Sequence, residues 1–222
     1  MGEPDLVLAS NSPRRRELLA FGGWKFQVHP VEVDESQIPG EPPGPFVLRL
    51  AKAKAHTCAT SAHEDLTILS ADTAVVDRNT ILGKPKDEAE AREMLLRLRG
   101  RTHQVYTGIA VLKKSTGYLG MDLCVTNVPM RAYSDQEMET YIASGDPLDK
   151  AGAYAIQNPR FHPVESLNGC YASVMGLPLC HLTRSLQKIE ITPKKVIPIE
   201  CQSCLGYTCP IFTEVLRGEQ VG

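Results

Sequence analysis

Apolar residues occur in this chain as short runs and as stripes with helical spacing, and the two patterns alternate along most of its length. Short apolar runs predict strands, whereas apolar positions three or four residues apart predict helices. The predicted strands are 5–10, 24–33, 66–70, 103–113 and 122–132, with a hairpin about 77–80. The predicted helices are 13–21, 46–62 (after a Pro- and Gly-rich loop, 40–45), 87–100, one that begins with a capping box at 134–137, and 177–187. Strands alternate with helices early and adjoin one another in the middle, which predicts an α/β fold with a mixed sheet.

The last part of the chain has a different character. After Glu190, prolines and three cysteines appear without a clear helical period. We therefore expect one domain over residues 1–189, followed by a C-terminal tail over residues 190–222.

The tail cysteines allow two interpretations. Cys201, Cys204 and Cys209 could bind zinc, but a structural zinc site needs four ligands and the second CxxC pair of a zinc ribbon is missing. The fourth ligand would have to come from the domain, where the candidates are Cys170, Cys180 and His181. The simpler interpretation is a flexible or loosely docked tail with free thiols.

Composition and charge narrow the possible partners. The chain is 42% hydrophobic and 23% charged, which is ordinary for a globular protein, and its net charge is −2. This balance favours neither nucleic acid nor a membrane surface as a partner. No segment has the length of a membrane span, and residues 1–5 lack the basic and apolar regions of a signal peptide. We expect a cytoplasmic protein, in which seven cysteines are free thiols rather than a disulfide framework.

Three arginines at the start of the first predicted helix are the most informative polar feature. Ser12 and Pro13 are typical of the N-cap and the first helical position, and the arginines at 14–16 follow them directly. Because the N-terminus of a helix already carries partial positive charge, three cations there are unfavourable unless an anion binds. We predict that Ser10, Ser12, Arg14 and Arg15 bind a phosphate chain, with a solvated basic helix face as the alternative.

Carboxylates that could hold a metal ion occur at two places. Glu32, Asp34 and Glu35 follow the second predicted strand, and Asp72 follows the third. Carboxylates ligate Mg²⁺ beside substrate phosphates, and α/β sheets bind ligands at the carboxyl ends of their strands. The alternatives are a solvated acidic loop for the first group and a turn former for Asp72. Three further candidates are weak when taken singly, namely Lys54, Lys84 and Gln157.

Taken in order, these segments resemble the Maf family of nucleotide pyrophosphatases, over about residues 5–187. The segments that carry the resemblance are LASNSPRR at 8–15, Glu35, LAKAKA at 50–55, SADT at 70–73, GKP at 83–85, DKAGAYAIQ at 149–157 and VMGLP at 174–178. Any one of them alone is unspecific, but the set in this order is highly specific.

The resemblance implies a fold, a reaction and a set of residues. The implied fold is a mixed twisted α/β sheet with flanking helices, in two lobes around a cleft, similar to inosine triphosphate pyrophosphatase. The implied reaction is metal-assisted attack of water at the α-phosphorus of a nucleoside triphosphate, with Mg²⁺ or Mn²⁺, giving the monophosphate and pyrophosphate. By matching position, Asp72 is implied as the proton acceptor and, together with Glu35, as a metal ligand. The phosphate-handling positions are Ser10, Arg15, Lys54 and Lys84, and the positions tied to substrate choice are Arg14, Thr73 and Gln157.

The Asp-Thr and Ile-Gln pairs resemble the branch that acts on dTTP and UTP rather than the branch that acts on 7-methyl-GTP. One departure concerns the base pocket, because NPRFHP at 158–163 replaces the small Gly-rich turn of the family. Two alternatives stay open: a house-cleaning hydrolase of modified nucleotides, and a non-catalytic regulator of cell division that binds nucleotides or nucleic acid. We expect a homodimer.

Overall fold

A mixed sheet with helices on both faces confirms the predicted α/β class. The computed structural model describes residues 5–61 and 66–222. Its strands are β1 Leu6–Leu8, β2 Phe26–Val28, β3 Thr67–Asp77, β4 Thr80–Leu82, β5 Thr102–Lys113 and β6 Tyr118–Pro129. Its α-helices are α1 Pro13–Ala20, α2 Pro43–Ala59, α3 Glu88–Leu98, α4 Asp135–Ala143, α5 Tyr171–Val174, α6 Leu179–Gln187, α7 Ile197–Leu205 and α8 Phe212–Leu216. The strand order is β2-β1-β3-β5-β6, with β4 also paired to β3.

Alternate strand residues divide the core into two layers. Val7 of β1 belongs to the layer under α2, whereas its neighbours Leu6 and Leu8 belong to the larger layer on the opposite face. That larger layer also receives buried residues from α1, α3, α4 and α6. On the other face, α2 packs very closely on β5, because a Cβ added to Gly108 would lie 2.9 Å from the backbone of Val47.

The partners of β3 leave part of one edge open. β1 runs parallel to β3 and pairs with it as far as Leu69, and β4 pairs with it antiparallel from Val75. Between these two, residues 70–74 have no strand partner on that side within the described residues. On its other side β3 is covered by β5 along almost its whole length. The sheet therefore has a gap where β1 ends.

Three strands differ clearly in their bounds from the prediction. The second strand covers only Phe26–Val28 rather than 24–33, β3 continues to Asp77 rather than ending at 70, and β6 covers Tyr118–Pro129 rather than 122–132. β3 is long because β5 supplies a hydrogen-bonding partner from Thr67 to Val76, which no local pattern reveals. Asp72 consequently lies inside a strand, and its predicted position after the strand end is wrong.

The five predicted helices are present as α1, α2, α3, α4 and α6 and differ from the prediction only at their ends, whereas α5, α7 and α8 were not predicted. Asp87 and Ser134 cap α3 and α4 through their side chains, as expected. The loop predicted at 40–45 is shorter, because α2 already begins at Pro43, whose fixed φ suits a first turn. The predicted end of that helix at 62 lies outside the described residues. Pro178 precedes α6 as its N-cap rather than lying in its first turn.

Residues 190–222 pack on the domain. Ile197 of α7 and Val215 of α8 are fully buried in the core. Arg184 of α6 donates hydrogen bonds to two backbone carbonyl oxygens of the tail, those of Val215 and Glu219. The interpretation of a loosely docked tail is therefore wrong, whereas the division of the chain at residue 189 stays a prediction.

The described residues offer no preformed metal cluster and no membrane span. All seven cysteines are free thiols, and within residues 5–61 and 66–222 no group of three or more His, Cys, Asp or Glu side chains is arranged to hold a metal ion. The zinc hypothesis for the tail thus finds no support in the structure. In the same ranges, no helix combines the length and apolar character needed to cross a bilayer.

Candidate active site

A polar cavity of about 580 Å³ lies at the open edge of β3, beyond the end of β1. Its walls come from the loop before α1 and the first turn of that helix, from α2 and β3, and from further segments at 31–35, 84, 149–157 and 174–176. All ten residues predicted as site residues line it, namely Ser10, Ser12, Arg14, Arg15, Glu35, Lys54, Asp72, Thr73, Lys84 and Gln157. Residues far apart in the sequence are therefore brought to one cavity.

Asp72 and Thr73 reach this cavity from opposite faces of the sheet. Asp72 points toward α2, where the ammonium of Lys54 donates a hydrogen bond of 2.6 Å to its Oδ1. Thr73 is its neighbour on β3 and points to the other face, where it meets Arg15. Because β1 stops short of this level, the cavity is open to both side chains.

Arg15 is clamped by three hydrogen bonds. Its Nε donates to the carbonyl oxygen of Gly176 at 2.9 Å, Nη1 donates to Ser10 Oγ at 3.3 Å and Nη2 donates to Thr73 Oγ1 at 3.2 Å. Burial lowers the pKa of Arg15, and the charge of Asp72 opposes that effect. A guanidinium has five N–H groups, so one N–H on Nη1 and one on Nη2 remain for an anion.

Two further cations, Arg14 and Lys84, line the cavity, and their side chains make no hydrogen bond or ion pair to any described residue.

The two serines of the first loop are already engaged in local structure. Ser12 Oγ accepts from the backbone N–H of Arg15 and caps α1, and Ser10 Oγ accepts from the N–H of Ser12. The serines thus shape the turn, and the two unpaired cations are available to a phosphate group.

Lys54 bridges two carboxylates with opposite pKa shifts. Its Nζ lies 2.6 Å from Glu35 Oε1 and 2.6 Å from Asp72 Oδ1. Burial raises the pKa of Asp72 despite the opposing charges of Lys54 and Arg15. Burial also acts to raise the pKa of Glu35, but the hydrogen bond and charge of Lys54 outweigh it and lower that pKa.

The other two acids of the predicted metal-binding group are not among the residues that line the cavity. Asp34 instead accepts a hydrogen bond of 2.9 Å from the backbone N–H of Ser36, and its pKa is lowered first by hydrogen bonding to Ser36. That contact is a local turn, so of the group formed by Glu32, Asp34 and Glu35 only Glu35 contributes to the cavity.

Comparison with known proteins assigns the family. Residues 5–189 match the family model described as Maf-like protein. The chain belongs to the Maf-like protein family. It is 46% identical over 185 residues to the dTTP/UTP pyrophosphatase of Geobacter sulfurreducens, covering 83% of this chain and 96% of that protein. It is 39% identical over 191 residues to the dTTP/UTP pyrophosphatase of Dehalococcoides mccartyi, covering 86% and 85% respectively.

Solved structures align less well with this Maf-like chain. The Staphylococcus aureus Ham1 protein gives a TM-score of 0.39 at 14% identity, covering 57% of this chain and 72% of that one.

Lys150 and Tyr154 are two of the residues that line the cavity of the Maf-like chain and were absent from the predicted set. Lys150 is buried, and its ammonium donates to the carbonyl oxygen and Oδ1 of Asp146 and to Oδ1 of Asp149. These bonds use all three N–H groups, so Lys150 fixes the loop instead of meeting a ligand. Tyr154 is buried as well, with its hydroxyl 2.8 Å from Nε2 of His103. Both lie in the 149–157 segment, but only the fold shows which of its residues face the cavity.

The departure from the family pattern at 158–163 does not narrow the cavity of the described structure. None of these residues lines it. Phe161 is instead buried in the core, where its ring stacks on Tyr141 with the centroids 4.2 Å apart. Asn158 donates from Nδ2 to Asp146 Oδ2 at 3.0 Å and thereby joins the loop that Lys150 fixes. The unusual segment is an anchor for the loop behind the cavity.

Proposed function

We propose that this chain hydrolyses dTTP and UTP to the nucleoside monophosphate and pyrophosphate. The observation that carries the proposal is the single cavity in which four cations, Arg14, Arg15, Lys54 and Lys84, surround the buried carboxylate of Asp72. The names of the aligned relatives, dTTP/UTP pyrophosphatase, support both the reaction and the substrates.

The cations and the first loop bind the phosphate chain. Arg15 is held in one orientation and offers its two remaining N–H groups as a fork that matches two phosphate oxygens. Arg14 and Lys84 supply charge without first breaking an ion pair to a described residue. Ser10 and Ser12 fix the turn at the N-terminus of α1, where the helix dipole adds to the attraction. Arg14, Thr73 and Gln157 contribute to the choice of nucleotide.

Asp72 acts as the general base. Its raised pKa makes the carboxylate a better proton acceptor than an exposed aspartate, which suits a base that works near neutral pH. Lys54 holds Oδ1 and leaves Oδ2 for a water molecule that attacks the α-phosphorus in line. Lys84 and the arginines then stabilise the charge that develops on the leaving pyrophosphate.

The same carboxylates fit a divalent cation. Mg²⁺ in nucleotide enzymes is usually held by one or two carboxylates together with substrate phosphates and water, rather than by a cage of protein ligands. Glu35 and Asp72 supply such a pair, which the ammonium of Lys54 bridges in this structure. When bound there, Mg²⁺ or Mn²⁺ would neutralise charge on the phosphate oxygens.

The proposal is tested by pyrophosphate release from dTTP, UTP, CTP, GTP and ITP in the presence of Mg²⁺. We expect dTTP and UTP to be the best substrates, and Asp72→Asn to lower kcat/KM by about 10²–10³-fold. Asp77→Asn is the matched control, because Asp77 is a buried aspartate on the same strand that pairs with Arg97 and Arg101 outside the cavity. Near wild-type turnover of Asp72→Asn, or no hydrolysis of any of these nucleotides by the wild type, would contradict the proposal.

Two parts of the proposal do not depend on the cavity. They are a homodimeric assembly, which the resemblance to the family implies, and a cytoplasmic location, which is the expectation from the sequence. Sedimentation equilibrium of the purified chain tests the first, with a mass of twice 24.4 kDa as the expected result.

A further inference from the structure

Arg15 belongs to a closed ring of hydrogen bonds that extends from the cavity into the buried sheet. Thr73, which accepts from Arg15, lies with its Oγ1 3.0 Å from Oγ1 of Thr107. Thr107 in turn donates to the carbonyl oxygen of Ser173 at 2.9 Å. Ser173 is in α5, and three residues later the carbonyl oxygen of Gly176 accepts from Nε of Arg15 and closes the ring.

Thr107 is a polar residue at an apolar position. It is fully buried on β5, directly opposite Thr73 in the strand register, and it does not line the cavity. Val105 and Ile109, which point to the same face of β5, are ordinary core residues. A buried hydroxyl costs free energy unless it is hydrogen-bonded, so valine would satisfy the requirements of packing more simply. Packing at this position requires only an apolar side chain of that shape, so packing does not account for the hydroxyl of Thr107.

The direction of each hydrogen bond in the ring follows from the donors available. A carbonyl oxygen only accepts, so the single hydroxyl proton of Thr107 is directed to Ser173. The hydroxyl proton of Thr73 must then be directed to Thr107. Thr73 is left with lone pairs only, which is the orientation that Nη2 of Arg15 requires.

This orientation also determines what Thr73 can bind. With its proton used by Thr107, the hydroxyl of Thr73 accepts hydrogen bonds from the cavity side but donates none. An ionised phosphate oxygen is itself an acceptor, so Thr73 gives it no hydrogen bond. Within the ring, Thr73 and Thr107 therefore orient the guanidinium of Arg15, which is the group that can donate to phosphate.

We propose that Thr107 is a positioning residue for the phosphate-binding guanidinium of Arg15, acting through the hydroxyl of Thr73. The inference deepens the proposed function and depends on it for its role in catalysis. The link from Thr107 to Arg15 itself concerns phosphate binding and can be measured without turnover.

The experiment is calorimetric titration of inorganic pyrophosphate into the full-length protein and its variants. Thr107→Val removes the hydroxyl at nearly constant shape, and we expect the Kd for pyrophosphate to rise about tenfold, the equivalent of about one hydrogen bond. Thr107→Ser restores the hydroxyl and should bind within about twofold of the wild type. Thr183→Val is the matched control, because buried Thr183 also donates a 2.9 Å hydrogen bond to a backbone carbonyl, but within α6 and away from the cavity.

Three outcomes would overturn the inference. They are an unchanged Kd in Thr107→Val, an equal loss in Thr107→Ser, and an equal loss in Thr183→Val. If Thr107→Val does not fold, Thr107→Ala removes the hydroxyl without adding bulk and should show the same rise in Kd.

If the wild type binds pyrophosphate but hydrolyses no nucleotide, the proposed function fails, while the titration still decides the role of Thr107. Where hydrolysis is observed, Thr107→Val should also raise KM for UTP, and Thr107→Ser should reverse that change.

Discussion

At the scale of single residues, one lysine contacts two carboxylates whose pKa values shift in opposite directions. Lys54 contacts Glu35 and Asp72 at the same distance of 2.6 Å, yet only the pKa of Asp72 is raised. The difference comes from exposure, since the side chain of Glu35 is 60% exposed and that of Asp72 is 10% exposed. An exposed, fully ionised Glu35 suits a metal ligand, and a buried Asp72 suits a proton acceptor.

His103 gives a prediction about stability. Burial lowers the pKa of His103 from 6.5 to about 4, so the folded protein keeps it neutral while the unfolded chain binds a proton below about pH 6.5. The unfolded state then binds more protons between about pH 6.5 and pH 4, and stability must fall as the pH falls through that range. His103→Gln removes this contribution, of about 3 kcal/mol at most, and should flatten the pH dependence.

Urea denaturation at several pH values between 4 and 8 measures the effect of His103. His56→Gln is the matched control for replacing a histidine by glutamine, since His56 is exposed on α2. A slope for His103→Gln equal to that of the wild type would show that His103 does not titrate as its burial requires.

The residues that line the cavity were easier to predict from the sequence than the residues that hold its loops and side chains in place. All ten predicted residues line the cavity. The arginines and acids stand out as clusters of charge, whereas the assignment of Lys54, Thr73, Lys84 and Gln157 depended on the resemblance to the family. Lys150 and Thr107 were not predicted. Lys150 looks like any surface lysine until the loop closes around it, and Thr107 looks like any strand threonine until β5 pairs with β3.

At the scale of elements, the decisive feature is that β3 is longer than β1. The excess length places Asp72 and Thr73 beside the gap at the end of β1, one on each face of the sheet. A local apolar run predicted the first residues of β3 correctly but not its end. Its length is set by the long pairing with β5, a contact between segments more than 25 residues apart that hydrophobic periodicity does not encode.

The contact of α2 with the sheet gives a prediction at this scale. Gly108 lets α2 approach β5 so closely that any Cβ there meets the backbone of Val47 at 2.9 Å. Gly108→Ala should lower the free energy of unfolding by about 1–3 kcal/mol, because backbone must shift to relieve the overlap. This loss opposes and exceeds the gain of about 0.5–1 kcal/mol that alanine normally brings in a strand.

Chemical denaturation of Gly108→Ala beside Gly83→Ala makes the comparison. A Cβ on Gly83 has no atom within 4 Å, so that control should stay within about 0.5 kcal/mol of the wild type. Equal stability of the two variants would mean that α2 does not lie as close to β5 as described. Because α2 carries Lys54, the displaced helix should also weaken hydrolysis in Gly108→Ala.

At the scale of the whole molecule, the tail is part of the fold. It buries Ile197 and Val215, accepts two hydrogen bonds from Arg184 and places the carbonyl oxygen of Val221 3.1 Å from Nε2 of His181. Neither α7 nor α8 was predicted, because Pro198 and three polar residues interrupt the apolar positions of α7 and because α8 has only five residues. The position of the tail is set by its contacts with α6, which precedes the tail in the chain, and the sequence of the tail does not reveal those contacts.

We propose that one cavity binds a nucleoside triphosphate and directs water to its α-phosphorus. The site of attack can be measured by hydrolysis of UTP in ¹⁸O-enriched water, followed by mass spectrometry of both products. We expect one labelled oxygen in UMP and none in pyrophosphate, with formation of both products strongly reduced in Asp72→Asn and retained in Asp77→Asn. Label in pyrophosphate, or orthophosphate as the first product, would place the attack at another phosphorus and overturn the proposed mechanism.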